Sequence, residues 1–294
     1  MQICFVILHY MDDKITIECI DSILKNIEID DFKIIVVDNA SNNDSYECMR
    51  EYYGEHSKID WIKNEKNVGF SRGNNIGYRY ARENYNPEFI VVGNNDLDFF
   101  QNNFVSKLME QWKKYRFLVA GPDIITLDEI HQNPHRTNIR TYENVKKKNR
   151  NKKWLLSFLR LKKRIPVIRN TSFPENIYFY YEKKMKAKKQ ETCALKNVVL
   201  HGACVIFSKL YIREQEEAFP EYTFMYMEED ILGLRCQREN YISYYLPELQ
   251  VRHKEKVSTK KIRKSELEKN IFVISEGIKA GEAYMKLLEG NRKI

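Results

Sequence analysis

The 294 residues contain no apolar run of about 18, so no membrane-spanning helix is expected. The six cysteines, at 4, 19, 48, 193, 204 and 236, form no Cys-x-x-Cys pair. That spacing argues against a zinc site and against a disulfide framework. Cys4 and Cys204 fall inside apolar runs, the usual setting of a free buried thiol, and the expected compartment is a reducing cytosol. Glycine and proline are sparse, at 11 and 7, so long flexible linkers are not expected. The opening MQICFVILHYMDD has neither a basic start nor a small-residue cleavage site and reads as a first strand, not a leader. Neither G-x-G-x-x-G nor G-x-x-x-x-G-K-[ST] occurs, which disfavours a dinucleotide fold or a P-loop.

What the chain does have is a 43% hydrophobic content, enough for one large α/β domain or two small ones. Its net charge of +8 is concentrated. Residues 144–165, NVKKKNRNKKWLLSFLRLKKRI, hold ten Lys or Arg and no acid. Without that stretch the net charge would be −2, so basicity is a local property and not one of the body.

The first 121 residues alternate strand and helix. Ile3–Leu8, Phe32–Val37, Asp60–Lys63, Phe89–Val92 and Phe117–Gly121 read as strands, their apolar runs suited to burial on both faces. Ile15–Ile27, Tyr46–Tyr53, Ser71–Tyr85 and Phe104–Tyr115 read as helices, with apolar residues at helical spacing. This alternation predicts an α/β fold with a mostly parallel central sheet. Residues 122–196 break the rhythm and read as a variable, basic, irregular insertion. A strand at Val198–Phe207, a helix at Glu228–Arg238 and a strand near Ile242–Leu246 follow. The tail opens on a capping box, Ser265-x-x-Glu268, and carries Leu267, Ile271, Ile274 and Ile278 on one helical face. The expected organisation is one domain over 1–258, with parts 1–121, 122–196 and 197–258, and a helical tail over 259–294.

Three strand ends carry polar groups: His9-Tyr10, Asp38-Asn39 and Asn94 to Asp98. In a parallel sheet these ends converge on one edge, where ligands bind. Asn94-x-Asp96 with Asp98 places carboxylates at that rim, a way to hold a hard divalent cation. Between them, Asn67-Val68-Gly69-Phe70-Ser71-Arg72-Gly73-Asn74-Asn75 combines close-approach glycines with a helix start and an arginine suited to anionic oxygen.

The order VILHY, VVDNASNNDS, NVGFSRGNNIGY, VVGNNDLDF, then His201-Gly202-Ala203 and Met225 to Asp230, resembles family 2 glycosyltransferases of the GT-A fold, of the type that builds bacterial surface polysaccharides. The resemblance covers roughly residues 1–121 and 197–258. It implies an inverting transfer from a UDP- or dTDP-sugar, with Mg²⁺ or Mn²⁺, to a glycan or a polyprenyl-diphosphate-linked acceptor. Carried onto this sequence, it implies that Asp38 reads the nucleobase. His9 and Tyr10 lie at the base or ribose, and Asn67, Gly69, Arg72, Gly73, Asn74, Asn94 and Asn95 at the nucleotide or diphosphate. Asp96, Asp98 and His253 are the implied metal ligands, with Asn94 standing where the family's motif has its first acid. Lys254, Lys256 and Ser258 would add diphosphate contacts. His201, Gly202 and Ala203 line the implied acceptor site. The general base is Glu229 or Asp230, according to how the family's Glu-Asp motif is aligned. His56, His131 and His135 read as surface residues.

In the basic segment, Trp154, Leu155, Phe158 and Leu159 share one side of a helix flanked by cations. Three readings apply: contact with anionic lipid at the inner face of the cell membrane, packing of the apolar side on the body, and nucleic-acid binding. The last has no accompanying binding fold, and no nucleic-acid partner is expected. Other functions considered are a nucleotidyltransferase, which would want a Gly-rich loop where His9 to Asp13 stand, and a non-catalytic docking protein using residues 144–165.

Overall fold

The computed structural model describes residues 2–165, 190–255 and 265–290. Among these residues the strands are β1 (Ile3–His9), β2 (Phe32–Asp38), β3 (Ile59–Lys63), β4 (Phe89–Asn94), β5 (Leu97–Asp98), β6 (Val119–Thr126), β7 (Leu195–Lys196), β8 (Cys204–Ser208) and β9 (Ser243–His253). The helices are α1 (Asp13–Asn26), α2 (Ser45–Tyr53), α3 (Phe70–Tyr85), α4 (Phe104–Tyr115), α5 (Tyr142–Arg164), α6 (Lys209–Glu214), α7 (Glu228–Arg238) and α8 (Glu266–Glu289). One sheet holds all the strands in the order β3-β2-β1-β4-β8-β6-β9-β5, with β7 added on β9. β1 to β4 are mutually parallel, and β6 and β9 run with them. β8, inserted between β4 and β6, runs against both. The mostly parallel α/β sheet expected from the alternation is present.

Alternate residues of each strand feed two cores. Ile3, Phe5 and Ile7 pack with α1, α2 and α4 on one face. Cys4 and Val6 pack with α3, α6 and α7 on the other. Because both faces are covered, the strands are apolar throughout, as the sequence showed. The parallel register aligns His9 with Asp38 and Leu8 with Asn94, so the three polar strand ends do meet on one edge.

Four expectations are corrected. The strand read over Val198–Phe207 begins only at Cys204, and residues 197–203 form a loop pinned to the 133–136 segment by backbone and Asn133 hydrogen bonds. β9 runs on to His253, so that histidine ends a strand instead of following one. Residues 122–196 are not irregular throughout: β6 extends to Thr126, and α5 is a 23-residue helix. Finally, the four apolar residues of α5 divide. At about 100° per residue, Leu155 and Leu159 lie on a neighbouring side from Trp154 and Phe158. Leu155, Leu156 and Leu159 are buried against Ile274 and Ile278 of α8, while Trp154 is 64% exposed. Close approach of the two helices is allowed by Gly277 and Gly281. There a Cβ would meet Lys152 Nζ at 2.7 Å and Asn149 Oδ1 at 2.4 Å. The N-cap half of the expected capping box forms, Ser265 Oγ accepting from the Glu268 N–H.

Candidate active site

The edge where β1, β2 and β4 end is organised by Asn39. Its amide nitrogen donates to Asn67 Oδ1 and to the Gly69 carbonyl. Its oxygen accepts from Asn64 Nδ2 and the Val68 N–H. One side chain therefore sets the loop that enters α3. Asn67 in turn accepts from the Gly69 N–H. Gly69 has φ +89°, and a Cβ there would lie 2.2 Å from the Phe224 carbonyl oxygen. At Gly73 it would meet Leu8 at 2.7 Å. At both glycines the space a Cβ would need is taken by neighbouring protein. Asn74 is buried and donates to the Phe70 carbonyl, and Arg72 faces Glu221 at 3.4 Å. Asn75 holds both backbone groups of Phe219, and the Phe70 N–H donates to the Phe224 carbonyl. The NVGFSRGNN motif thus docks the 219–224 loop onto the start of α3.

His9 and Asp38 are both fully buried. The ring nitrogens of His9 hydrogen-bond Thr16 Oγ1 and Ser45 Oγ, so His9 braces the helices beneath the site and does not face a donor. The Asp38 carboxylate accepts from the Ser41 N–H, and Ser41 Oγ accepts from the Met11 N–H. Asp38 therefore presents no open surface here. It ties the turn that carries the partly exposed Tyr10. Burial lowers the His9 pKa from 6.5 to about 4. The unfolded chain then binds more protons than the native one between these values, so stability present above pH 6.5 is lost as pH falls toward 4. His9→Gln should flatten that part of the urea-midpoint profile, whatever it costs at pH 7.

The loop docked by α3 delivers the acids. Tyr226 and Met227 hold consecutive left-handed conformations, φ +73° and +69°, which cost about 1–3 kcal/mol each and concentrate at functional sites. They turn the chain into α7, whose first residues are Glu228, Glu229 and Asp230. The three carboxylates differ. Glu228 is buried, its Oε1 has no hydrogen-bond partner, and burial together with the charge of Glu229 pushes its pKa to about 8. Asp230 is 1% exposed and paired with Arg136 at 2.5 Å and Arg140 at 3.6 Å. Glu229 is partly exposed and lies against Gly202, whose N–H donates to it. A Cβ on Gly202 would come within 3.2 Å of Glu229 Oε1. Burial, with Asp230 adjacent, raises its pKa.

The 201–203 segment connects these acids to the strand-end motif. The Asn94 N–H donates to the Ala203 carbonyl, and the rings of His201 and His253 are 6.1 Å apart. His253 Nε2 lies 3.1 Å from Asp96 Oδ1, and His253 Nδ1 lies 2.7 Å from Gln132 Oε1. The Gln132 amide nitrogen donates to the Glu255 carboxylate, which only accepts. The oxygen of Gln132 must then face Nδ1, which donates to it, and Nε2 is the ring nitrogen that faces Asp96. A carboxylate and an imidazole nitrogen facing each other could supply two donors to a cation, which would complete its shell with ligand oxygens and water. Asp96 and His253 fit a divalent cation. Asp98 does not join them: β5 turns its carboxylate toward Arg252, at 3.7 Å. Among the described residues no group of three His, Cys, Asp or Glu side chains could hold a metal. Asn95 is buried and donates to Thr16 Oγ1.

Asn39 and Asn75 were named from the sequence only as members of motifs, with no role assigned, and Gln132 and Arg136 were not named at all. Asn39 and Asn75 stand inside the two Asn-rich motifs and could have been given one. Gln132 and Arg136 lie in the segment read as variable. His131 and His135 are only partly exposed. His131 hydrogen-bonds the buried Asp123, and His135 packs edge-on to His201. Lys254 pairs with Glu18, while Lys256 and Ser258 lie outside the described residues.

The fold is similar to that of S. aureus TarS residues 1–349, solved with UDP-GlcNAc, at a TM-score of 0.55 and 13% identity, over 88% of this chain and 60% of that one. It is also similar to GalNAc-T7, solved with UDP, GalNAc and Mn²⁺, at 0.58 and 12%, over 87% and 44%. These likenesses establish a GT-A fold. In sequence the chain is 27% identical over 209 residues to a low-salt glycan biosynthesis hexosyltransferase of Haloferax volcanii, covering 71% of this chain and 54% of that protein. It is 26% identical over 106 residues to a chondroitin synthase of Escherichia coli, covering 36% of this chain and 14% of that one. The chain thus spans about half the length of the first of these relatives. The family model for glycosyl transferase family 2 matches residues 4–209, taking in every strand-end motif and the His201-Gly202-Ala203 segment, and the chain belongs to that family.

Proposed function

We propose that this chain transfers a sugar, with inversion, from a nucleoside-diphosphate donor to a hydroxyl of a glycan. One observation carries the reading. Glu229 is the member of the Glu-Glu-Asp cluster that reaches the 201–203 segment beside Asp96 and His253, whereas Asp230 is neutralised behind it by two arginines. In a direct displacement the acceptor oxygen bonds to the anomeric carbon as the bond to the diphosphate breaks. Glu229 takes the hydroxyl proton. Its raised pKa makes it a stronger base than an ordinary carboxylate. Asp96 and His253 would hold the cation, and a divalent ion bound there would supply positive charge to the departing diphosphate. Tyr10 and the turn held by Asp38 form the wall beside the base. UDP is the favoured nucleotide, since both structural neighbours described above were solved with it or its sugar. A glycan acceptor is favoured by the names of the two sequence relatives. A thermal-shift panel of UDP, dTDP, GDP and their sugar conjugates, with and without Mn²⁺, tests donor binding. A nucleotide at 100 times its Kd should add about 2.7 kcal/mol. A well-folded sample that responds to none of them would contradict the reading.

The finer reading includes a lipid-linked acceptor met at a membrane surface. On the outer side of α5, Trp154, Phe158 and Leu161 form an i, i+4, i+7 stripe, and Ile165 follows it as the C-cap. Trp154, Leu161 and Ile165 are 64%, 48% and 40% exposed. Lys147, Arg150 and Arg164 are exposed beside it. Such a helix lies in an anionic interface, each cation adding about 1 kcal/mol. Among the described residues no helix is long and apolar enough to cross a membrane. The protein should sediment with vesicles containing phosphatidylglycerol and not with neutral ones. W154A/F158A should weaken binding about tenfold or more, and raising salt from 50 to 500 mM should release the protein.

A further inference from the structure

A cavity of about 510 Å³ opens beside α7, within the size range of ligand pockets. It lies outside the site described above but shares its walls. α7 contributes Gly233, Cys236 and Gln237. Glu229, Gly233 and Cys236 stand at i, i+4 and i+7, on one face of the helix. The opposite walls are residues 137–139 and 196–199. The first directly follows Arg136, the partner of Asp230. The second leads into His201 and Gly202. The two walls are bridged to each other at Arg136 and Val199. The scaffold that presents Glu229 therefore continues along the helix, about 6 Å further at Gly233, into the cavity.

The lining has one chemical character. Its floor is apolar and buried, formed by Val198, Val199 and Cys236. Its rim carries neutral donors and acceptors: Thr137, Asn138, Asn197, Gln237 and Asn240, all exposed. Lys196 is the one cation, and no carboxylate or histidine lines it among the described residues. A nucleotide or a diphosphate would want several cations. A hydrocarbon tail would leave the amide rim unmatched. A neutral saccharide offers an apolar ring face to the floor and hydroxyls that both donate and accept, as the amides do.

We propose that this cavity is a saccharide subsite, holding the sugars of an extended acceptor that lie behind the reacting end. The proposal rests on the transferase reading for its role, but the saccharide binding it predicts does not. Gln237 is exposed on α7, so Gln237→Trp fills the cavity without disturbing the core, and Gln237→Ala removes an amide and leaves the volume.

Saturation-transfer NMR would use a panel of tetrasaccharides of glucose, galactose, mannose and N-acetylglucosamine, with the matching monosaccharides. Wild type should saturate at least one tetrasaccharide. Its affinity should fall about tenfold or more in Gln237→Trp and less in Gln237→Ala, with nucleotide-induced thermal shifts unchanged in both. If the nucleotide shifts are absent from wild type while the tetrasaccharide contact and its loss persist, the transferase reading fails and the subsite stands. Failure of every tetrasaccharide to contact wild type, or equal contact in Gln237→Trp, overturns the subsite whatever the nucleotides do.

Discussion

Glu229→Gln is expected to lower kcat by about 10²–10⁴-fold, the usual contribution of a positioned general base, with nucleotide-induced stabilisation unchanged. The amide keeps the shape and the Gly202 N–H hydrogen bond but cannot take a proton. Asp230→Asn should behave differently. Asp230 stands buried between Arg136 and Arg140, and removing its charge leaves two guanidinium groups facing each other with Glu229 as the acid still acting on Arg136. Breaking a buried pair in this way costs about 3–5 kcal/mol. Asp230→Asn should therefore lose stability first, with activity lost in proportion to the unfolded fraction. Urea unfolding and kcat measured on both variants separate the two acids. Equal stability loss in both, or normal turnover in Glu229→Gln, would remove Glu229 as the base.

Asp96→Ala should abolish the Mn²⁺-dependent part of nucleotide stabilisation, which in total is about 2.7 kcal/mol at 100 times Kd. Asp96 would supply the one carboxylate ligand beside His253, and the alanine variant leaves only the imidazole. Gln132→Leu tests the positioning argument. With no acceptor at Nδ1 the His253 ring is free to choose either tautomer, and losing such a partner weakens metal affinity about 10–100-fold. Asp98→Ala should leave nucleotide and metal response intact, because that carboxylate is engaged with Arg252 across β5 and β9. If Asp98→Ala and Asp96→Ala weaken the metal response equally, the assignment of the cation to Asp96 and His253 is wrong.

The body of the fold was legible because its strands are buried on both faces and its helices carry one apolar stripe. These patterns place β1 to β4 and α1 to α4 within a residue or two, and α7 at its observed limits. Less legible were elements whose partner is remote in sequence. α5 reads as a basic, ambiguous stretch until α8, more than a hundred residues later, covers Leu155 and Leu159. β9 reads as short because its second half bulges from β6 beyond Pro122. The site was legible as a list and not as a set of roles. Spacing cannot distinguish a glycine that admits a ligand from one that admits Phe224, nor an asparagine that binds a donor from Asn74, which caps a carbonyl four residues back. It also left Glu229 and Asp230 equivalent. What differs between them is Arg136, in a segment whose composition suggested nothing but variability.

The most direct test of the transferase reading is a ³¹P NMR time course of sugar nucleotides incubated with Mn²⁺ and an oligosaccharide acceptor, on wild type and Glu229→Gln. The expected result is conversion of one UDP- or dTDP-sugar to its nucleoside diphosphate by wild type, at least a hundredfold slower in the variant at the same donor occupancy. Consumption of no sugar nucleotide by wild type, or equal rates in the two proteins, would contradict it.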